Sequence, residues 1–381
     1  VPDGVAPTKS EIVTITTDLI KADIDTVGGE IRHLELLTHH ESSDSTKDIV
    51  LFDSTPPRTY LGQTGLIGGA YPNHKSLFTV RPGPRSLEAG DQVQLVLEAE
   101  QNGVKLVKTY TFKRGEYKID IKHDVVNKTA AAINPSLYLQ LVRDGSKLNN
   151  ESMFYSTFTG PAVYSDSDKF QKVTFESIEK GKIEHVVKAD SGWIAMVQHY
   201  FVSAFVPPAN VPREYFTKKL ATNLYAVGAI MPMGAVAPGA TQSMDATLYS
   251  GPQESKRLEA VAPGFELVKD YGWLTIIAKP IFWLMIQIHQ LLGNWGWTIV
   301  VLTIVIKLAF FPLSAASYRS MAKMKLVTPK MTEIRTKYKG EPQKMNAAMM
   351  ELYKKEKINP LGGCMPIVIQ IPVFISLYWV L

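Results

Sequence analysis

A single lysine, Lys307, lies inside the most apolar stretch of this 381-residue sequence. Residues 295–313, WGWTIVVLTIVIKLAFFPL, predict a membrane-spanning helix of about 28 Å. A charge at the centre of a membrane costs about 2.5 to 3.5 kcal/mol on insertion scales, so it usually faces water or a binding partner. Thr303 lies one turn before Lys307 and Ser314 two turns after it, which predicts a polar stripe along one side of the helix.

A second polar group at membrane depth is Gln370, in the apolar residues 365–381. Two spanning segments that both carry polar side chains indicate a hydrated cavity between helices. An alternative stays open, because Lys307 is only six residues before Leu313. Its long side chain could then extend to the membrane interface while its stem stays in the hydrocarbon.

Signatures of enzymes and metal sites are missing from the sequence. It contains no phosphate-binding loop, nucleophile elbow or zinc-protease motif, and its one cysteine, Cys364, excludes a Cys-based zinc site. His39 and His40 are expected in a solvated loop, and His123 and His199 are expected as sheet residues. We therefore predict no catalytic residues, no metal, no cofactor and no small-molecule substrate.

Charge is divided unevenly along the chain. Residues 271–381 contain 13 Lys and Arg against 4 Asp and Glu, whereas residues 1–270 contain 28 against 32. The overall charge of +5 is therefore not a uniformly basic surface, and we expect no DNA partner.

The first part of the sequence alternates like an all-β domain, which we predict over residues 11–265 after a linker at 1–10. Short alternating runs end at Asn102-Gly103 and at Arg114-Gly115, and another turn is expected at Gly28-Gly29. No helical period extends over a comparable length, so an antiparallel sandwich is predicted.

The remaining residues predict a helical membrane domain in four parts. Residues 272–293 are apolar but carry a polar side, which favours an interfacial amphipathic helix, with a spanning helix as the alternative. Residues 295–313 span the membrane, and residues 365–381 begin the next spanning helix. Between them, residues 314–360 are rich in Lys and Arg, so the positive-inside rule places them in the cytoplasm and residues 1–270 on the other side.

The segment 314–360 is predicted to be a helical hairpin, with Pro342 near the start of its second helix. Methionine is concentrated there, and flexible Met side chains suit varied apolar partners. A hairpin packed on itself, with a solvated basic face, is the alternative. Basic side chains could also meet anionic lipid headgroups or ribosomal RNA. The candidate contact residues are Met321, Met324, Arg319, Lys323, Met345 and Met349.

Two long motifs resemble the YidC family of membrane protein insertases: NWGWTIVVLTIVIKLAFFPLSAASYRSMAKMKLVTPKM and MELYKKEKINPLGGCMPIVIQIPVF. The resemblance covers residues 270–381. Residues 1–265 look like the large periplasmic domain of the Gram-negative bacterial members, which implies a β super-sandwich of the galactose-mutarotase type. It also implies a multi-pass inner membrane protein, of which this chain is expected to lack both ends.

The resemblance implies a function as insertase and chaperone. Client transmembrane segments would enter a hydrophilic, positively charged groove and leave into lipid without nucleotide hydrolysis. Lys307 stands where the family commonly has Arg, and Thr303, Gln370 and Ser314 are the other expected groove residues. The expected partners are nascent membrane proteins and lipids, with the secretion channel and the ribosome as further candidates. Two alternatives are a transporter that uses Lys307 as a binding charge and a membrane-anchored periplasmic carbohydrate-binding protein.

Overall fold

The computed structural model describes residues 10–41, 44–146, 158–269, 274–356 and 365–380. The chain divides into two compact units, which we call the β domain, residues 1–269, and the helical unit, residues 270–381. Residues 1–9 of the predicted linker and the NPLGGC motif, residues 359–364, lie outside the described residues.

The described part of the β domain forms two antiparallel nine-stranded sheets. The first has the strand order β1-β2-β3-β5-β10-β17-β16-β13, with β4 paired to β3. Its strands are β1 Ile12–Thr16, β2 Ile20–Asp25, β3 Glu30–Glu41, β4 Asp44–Phe52, β5 Tyr60–Ile67, β10 Ser136–Asp144, β13 Lys188–Ala189, β16 Arg213–Ala221 and β17 Leu224–Pro232.

The second sheet has the strand order β12-β11-β14-β15-β18-β9-β8-β7-β6. Its strands are β6 Thr79–Val80, β7 Gln92–Gln101, β8 Val104–Lys113, β9 Lys118–Asn127, β11 Gly160–Ser165, β12 Lys169–Lys172, β14 Trp193–Val197, β15 Phe201–Val206 and β18 Thr241–Pro252. The β domain also contains three short helices in its described residues: α1 at Phe175–Glu179 between β12 and β13, and α2 at Ser255–Val261 and a 3-10 helix at Phe265–Val268 after β18.

A single apolar core joins the two sheets into the predicted sandwich. Inward side chains alternate along β9, where Ile119, Ile121 and Val125 are buried. Across the core, the Tyr60 hydroxyl of the first sheet lies 3.5 Å from the Met196 carbonyl of the second.

The turn chemistry predicted from the sequence is confirmed in the hairpins. Asn102 and Gly103 both have positive φ angles, 52° and 74°, between β7 and β8. Gly28 and Gly29 turn the chain between β2 and β3 with φ of 79° and 54°. A side chain at Gly28 would collide with the His74 carbonyl, so glycine is required there on two grounds.

Two of the histidine expectations are wrong. His39 and His40 lie on β3 rather than in a loop, because their strand continues to Glu41 and pairs with β4. His199 lies in the turn between β14 and β15 rather than in a strand. His123 is confirmed as a sheet residue, and its Nε2 lies 2.9 Å from the Thr64 hydroxyl.

The helical unit contains five helices in its described residues: α3 Thr275–Leu292, α4 Trp295–Ala309, α5 Phe311–Lys337, α6 Pro342–Lys355 and α7 Met365–Val380. α3 by itself is long and apolar enough to cross a membrane, so its interfacial placement stays a prediction. α4 and α5 meet that test only together, and a bend of 55° separates them. Pro312 explains the bend, because its ring has no N–H and collides with the carbonyl one turn earlier.

A small apolar core holds α3, α4 and α7 together. On α3 the buried residues are Ala278, Ile281, Met285 and Ile288, which are spaced three and four apart. They pack with residues of the other two helices, among them Leu302 and Leu377. The regular spacing shows that α3 buries one helical face within this unit.

Inside the β domain, a fully buried lysine connects the two sheets. Lys108 Nζ donates to the carbonyls of Gly28 at 2.7 Å and Thr64 at 2.8 Å, and it lies 4.9 Å from the centre of the Phe78 ring. Burial lowers the pKa of Lys108 to about 7, and the charge of Glu30 partly opposes that shift. Burial, together with the charge of Lys108, lowers the pKa of His123 to about 3.

We expect Lys108→Met to remove a pH dependence of stability. The unfolded lysine has a pKa of about 10.4, so between pH 7 and that value the unfolded state holds the extra proton. The free energy of unfolding of the β domain should therefore rise with pH, by up to about 1.4 kcal/mol per unit. Below pH 7 both states are protonated and this contribution is flat. Urea unfolding from pH 7.5 to 9.5 measures the slope.

The control for this experiment is Lys105→Met. Lys105 lies on the same strand but pairs with Glu98 on the outer side, and its side chain is 24% exposed. This variant should keep the wild-type slope. A Lys108→Met protein with an unchanged slope would contradict the assignment.

Candidate functional site

Lys307 is exposed on α4, and it forms no hydrogen bond or ion pair with the parts of the chain that the structure describes. Thr303 lies one helical turn before it and is half-buried. The Thr303 hydroxyl donates to the Ile299 carbonyl at 2.8 Å, so its lone pairs still can accept a hydrogen bond. These two side chains present a cation and an acceptor on one side of an apolar helix.

Ser314 and Gln370 form the second part of the predicted site. Gln370 on α7 donates through Nε2 to the Ser314 hydroxyl on α5 at 3.1 Å. Both residues are half-buried, so the hydrogen bond lies between two helices rather than at an outer surface. This hydrogen bond thus satisfies one polar group of each side chain among apolar neighbours.

The four predicted groove residues therefore fall into two pairs. Thr303 and Lys307 share α4, and Ser314 and Gln370 connect α5 with α7. No hydrogen bond among the described residues joins one pair to the other. Because the chain bends at Phe310, Ser314 does not continue the straight polar stripe expected for residues 295–313.

Sequence reasoning missed the contacts that hold the connection between α3 and α4. The His289 ring stacks on Trp295 at 3.7 Å, with an angle of 8° between the rings. Gly293 ends α3 in the left-handed conformation, and the Asn294 side chain accepts from the Trp297 N–H. The adjacent residues Gly293 and Asn294 were the sequence signal for this connection, because glycine favours helix ends and asparagine favours helix starts.

The six candidate contact residues on α5 and α6 are accessible. Arg319 and Lys323 are exposed, Met321 is 44% exposed, and the other three methionines are half-buried. No described residue of α6 is fully buried. The methionine-rich surface is therefore only partly covered by the chain itself.

Among the described residues, an ion pair joins α5 to the residue that follows α6. Lys330 Nζ lies 2.7 Å from Glu356 Oε1, and this contact holds the pKa of Glu356 below its usual value. Both groups are on the surface, where such pairs contribute little to stability. Most of the other basic side chains of this segment remain available to an anionic partner.

Comparison with known proteins decides the family. A model of the YidC periplasmic domain matches residues 12–284, and a model of the 60Kd inner membrane protein family matches residues 287–381. The chain belongs to the YidC family of membrane protein insertases. The resemblance of its motifs to this family is therefore confirmed.

Curated relatives called membrane protein insertase YidC match the whole chain. The protein of Janthinobacterium sp. (strain Marseille) is 99% identical over 381 residues, which are all of this chain and 68% of that protein. The protein of Herminiimonas arsenicoxydans is 80% identical over 382 residues, again all of this chain and 67% of its own length. This chain thus spans about two thirds of these relatives.

Two solved structures are distantly similar to this chain. A YidC insertase crystal structure with its first transmembrane domain resolved has 16% identity and a TM-score of 0.34, covering 98% of this chain and 72% of that one. A galactose mutarotase-related enzyme from Lactobacillus acidophilus has 9% identity and a TM-score of 0.42, covering 63% and 97%.

Membership of the YidC family supports the insertase interpretation over the transporter and the carbohydrate-binding protein. The fold agrees with the predicted class, since an antiparallel β sandwich precedes a helical region.

We expect Ser314 and Gln370 to be energetically coupled. In a double-mutant cycle of Ser314→Ala and Gln370→Met, the coupling should be about 0.6 to 1.7 kcal/mol, the range of hydrogen bonds between membrane helices. Unfolding in mild detergent measures it.

The control cycle pairs Gln370→Met with Ser376→Ala. The Ser376 hydroxyl donates to the Pro372 carbonyl of its own helix at 2.8 Å, so the two effects should add. If the effects of Ser314→Ala and Gln370→Met were also additive, the hydrogen bond between these residues would contribute nothing to stability.

Proposed function

We propose that the helical unit admits client transmembrane segments through a hydrophilic groove in which Lys307 supplies the positive charge. Thr303, Ser314 and Gln370 line the same path. The observation that carries this proposal is the Lys307 side chain, which is exposed on an apolar helix without a partner in the described chain. A charge at this depth is costly unless water or a partner solvates it, and an acidic or polar client segment is such a partner.

The driving force for insertion comes from the client itself. Moving its apolar helix into lipid removes apolar surface from water, at roughly 25 cal/mol per Å². A membrane potential that is positive outside adds about 2.3 kcal/mol per acidic charge per 100 mV. Insertion therefore proceeds without nucleotide hydrolysis, and the protein acts as an insertase and chaperone rather than as an enzyme.

The topology that we propose is a multi-pass protein of the bacterial inner membrane. Residues 1–270 lie in the periplasm, which the periplasmic description of the matched family model supports. Residues 314–360 lie in the cytoplasm, in agreement with the positive-inside rule. There the accessible methionines and basic residues are available to nascent membrane proteins and to the ribosome. Lipids and the secretion channel are the other proposed partners.

Photocrosslinking tests the path of the client. A photoreactive residue in place of Thr303 in the full-length protein should form an adduct with a ribosome-bound nascent single-span client. Val305 is the matched control, because it is 39% exposed but about 200° around the helix from Thr303. Equal adducts at both positions, or none at 303 in a folded and inserted protein, would refute the groove.

We expect the charge at position 307 to set the rate at which clients with acidic outer segments are inserted. Lys307→Arg should insert them at least as well as the wild type, because Arg keeps its charge when desolvated. Lys307→Gln should slow insertion about 10- to 150-fold, the equivalent of about 1.5 to 3 kcal/mol for a lost charged hydrogen bond. Protease protection of the translocated client segment measures the rate.

Two comparisons control this series. Lys354→Gln removes a charge from α6, outside the apolar helices, and should leave insertion unchanged. A client with a neutral outer segment should depend less on residue 307. If Lys307→Gln matched the wild type for acidic clients, the charge would have no role in client binding.

A further inference from the structure

α5 carries apolar side chains on two opposite faces, and the described residues cover only one of them. On the covered face, Ser317 and Val327 are 4% and 5% exposed. On the other face, Phe311, Tyr318 and Leu326 are 65%, 70% and 79% exposed. At 100° per residue these three side chains lie within about 80° of one another, on the side away from Val327. We call this apolar stripe the outer face of α5.

The outer face begins where the membrane-spanning part of the chain ends. α4 ends at Ala309 and α5 begins at Phe311, with a bend of 55° between the two helices. For an upright α4, each residue of α5 therefore lies only about 0.9 Å further from the membrane centre, and Tyr318 lies about 6 Å beyond Phe311. The headgroup layer is about 5 to 8 Å thick, so Tyr318 falls where an aromatic ring with a hydroxyl is most stable.

The second helix of the hairpin lies against the covered face. Met331 and Ile334 continue this face as half-buried residues towards the turn before α6. Lys330 Nζ then reaches Glu356 Oε1 just after the end of α6. α6 is rich in polar residues, and none of its described residues is fully buried. The outer face of α5 is therefore directed away from the polar half of the hairpin.

Basic side chains flank the outer face on both sides. Lys325 lies on one side of the stripe, and Arg319 and Lys323 lie on the other. All three are exposed, and none forms an ion pair with a described residue. The first acidic residue of α5 is Glu333, beyond the stripe. An anionic partner therefore meets no repulsion along the outer face.

This combination matches the two layers of a membrane surface. Apolar side chains enter the boundary between acyl chains and headgroups, and long basic side chains reach the phosphates beside them. The backbone of an RNA would satisfy the basic groups but leave Leu326 without an apolar partner. The continuity of the stripe with α4, together with its basic border, therefore favours lipid.

We propose that the outer face of α5 docks on anionic phospholipids of the cytoplasmic leaflet. The inference rests on the cytoplasmic placement of residues 314–360 proposed above. The apolar stripe lies in the headgroup boundary, and the flanking basic side chains bind lipid phosphates. Docking holds the hairpin at the membrane surface, next to the path that we propose for clients.

Fluorescence quenching in the full-length protein tests the lipid contact. In a background without other cysteines, Leu326→Cys carries an environment-sensitive fluorophore, and Thr328→Cys is the matched control. Thr328 is also exposed and lies two residues further along α5, but about 200° around the helix. In proteoliposomes of phosphatidylglycerol and phosphatidylcholine in equal parts, a nitroxide on the headgroup should quench the label at 326 at least threefold more than that at 328. Iodide in the water should quench in the opposite order.

A pair of charge variants tests the preference for anionic lipid. Lys323→Gln with Lys325→Gln should weaken the headgroup quenching at 326 at least twofold, because each basic residue near an anionic surface strengthens binding about fivefold. In vesicles of phosphatidylcholine alone, this double variant should not differ from the protein that keeps both lysines. Lys354→Gln with Lys355→Gln removes two charges from α6 and should leave the quenching unchanged in both kinds of vesicle.

Three results would overturn the proposal. The first is equal headgroup quenching at positions 326 and 328. The second is protection of position 326 from both quenchers, because it would show that protein covers the outer face. The third is a Lys323→Gln, Lys325→Gln variant that keeps its headgroup quenching but sediments less with ribosomes, because its basic residues would then serve the ribosome.

Thiol labelling checks the cytoplasmic placement separately. A membrane-impermeant reagent should label position 328 in inverted membrane vesicles but not in intact cells. If this holds and the quenching is equal at the two positions, the lipid contact alone is wrong. Labelling in intact cells would instead refute the topology on which the proposal rests.

Discussion

The cost of holding a charge among apolar side chains governs how this chain is built. A lysine without water needs hydrogen-bond acceptors or an opposite charge, or it loses its proton. Lys108 of the β domain and Lys307 of the helical unit solve this problem differently. Lys108 is fully buried, and its amine donates to two backbone carbonyls and lies over an aromatic ring, so the fold itself supplies its partners. Lys307 forms no hydrogen bond or ion pair with the described residues.

That difference separates a lysine whose amine is used by the fold from one whose amine is not used by the described residues. The carbonyls that accept from Lys108 come from a turn and a strand of the opposite sheet, so the amine joins the two sheets. Lys307 projects from one helix, where the backbone carbonyls are already used by the helix itself. Its charge is therefore open to a partner from outside the described residues. The client path that we propose needs such an open charge, since a permanent partner would block it.

Much of the architecture was predictable because local rules agree with the final fold. Alternation along β9 and the Asn102-Gly103 turn specify a hairpin without long-range information. The misplaced histidines show where these rules stop. His39 and His40 are polar residues in a run that looks like a loop. In the structure, His40 pairs with Asp48 of β4, and the His39 ring contacts the rings of Tyr117 and Phe201. The β-propensity of a residue type does not include contacts with other strands.

The sequence predicted the residues of the candidate site, but it did not predict which of them lie together. Composition identifies a lysine, a threonine, a serine and a glutamine at membrane depth, and periodicity places three of them on one straight helix. Pro312 breaks that helix, and the break turns Ser314 towards Gln370 instead. Proline cannot donate to the carbonyl four residues before it, so the regular helical hydrogen bonding is interrupted at this bend. The Ser314-Gln370 hydrogen bond lies close to the bend between α4 and α5. The groove that we propose is most easily hydrated at this bend, since irregular backbone at membrane depth is tolerated where it borders protein or water.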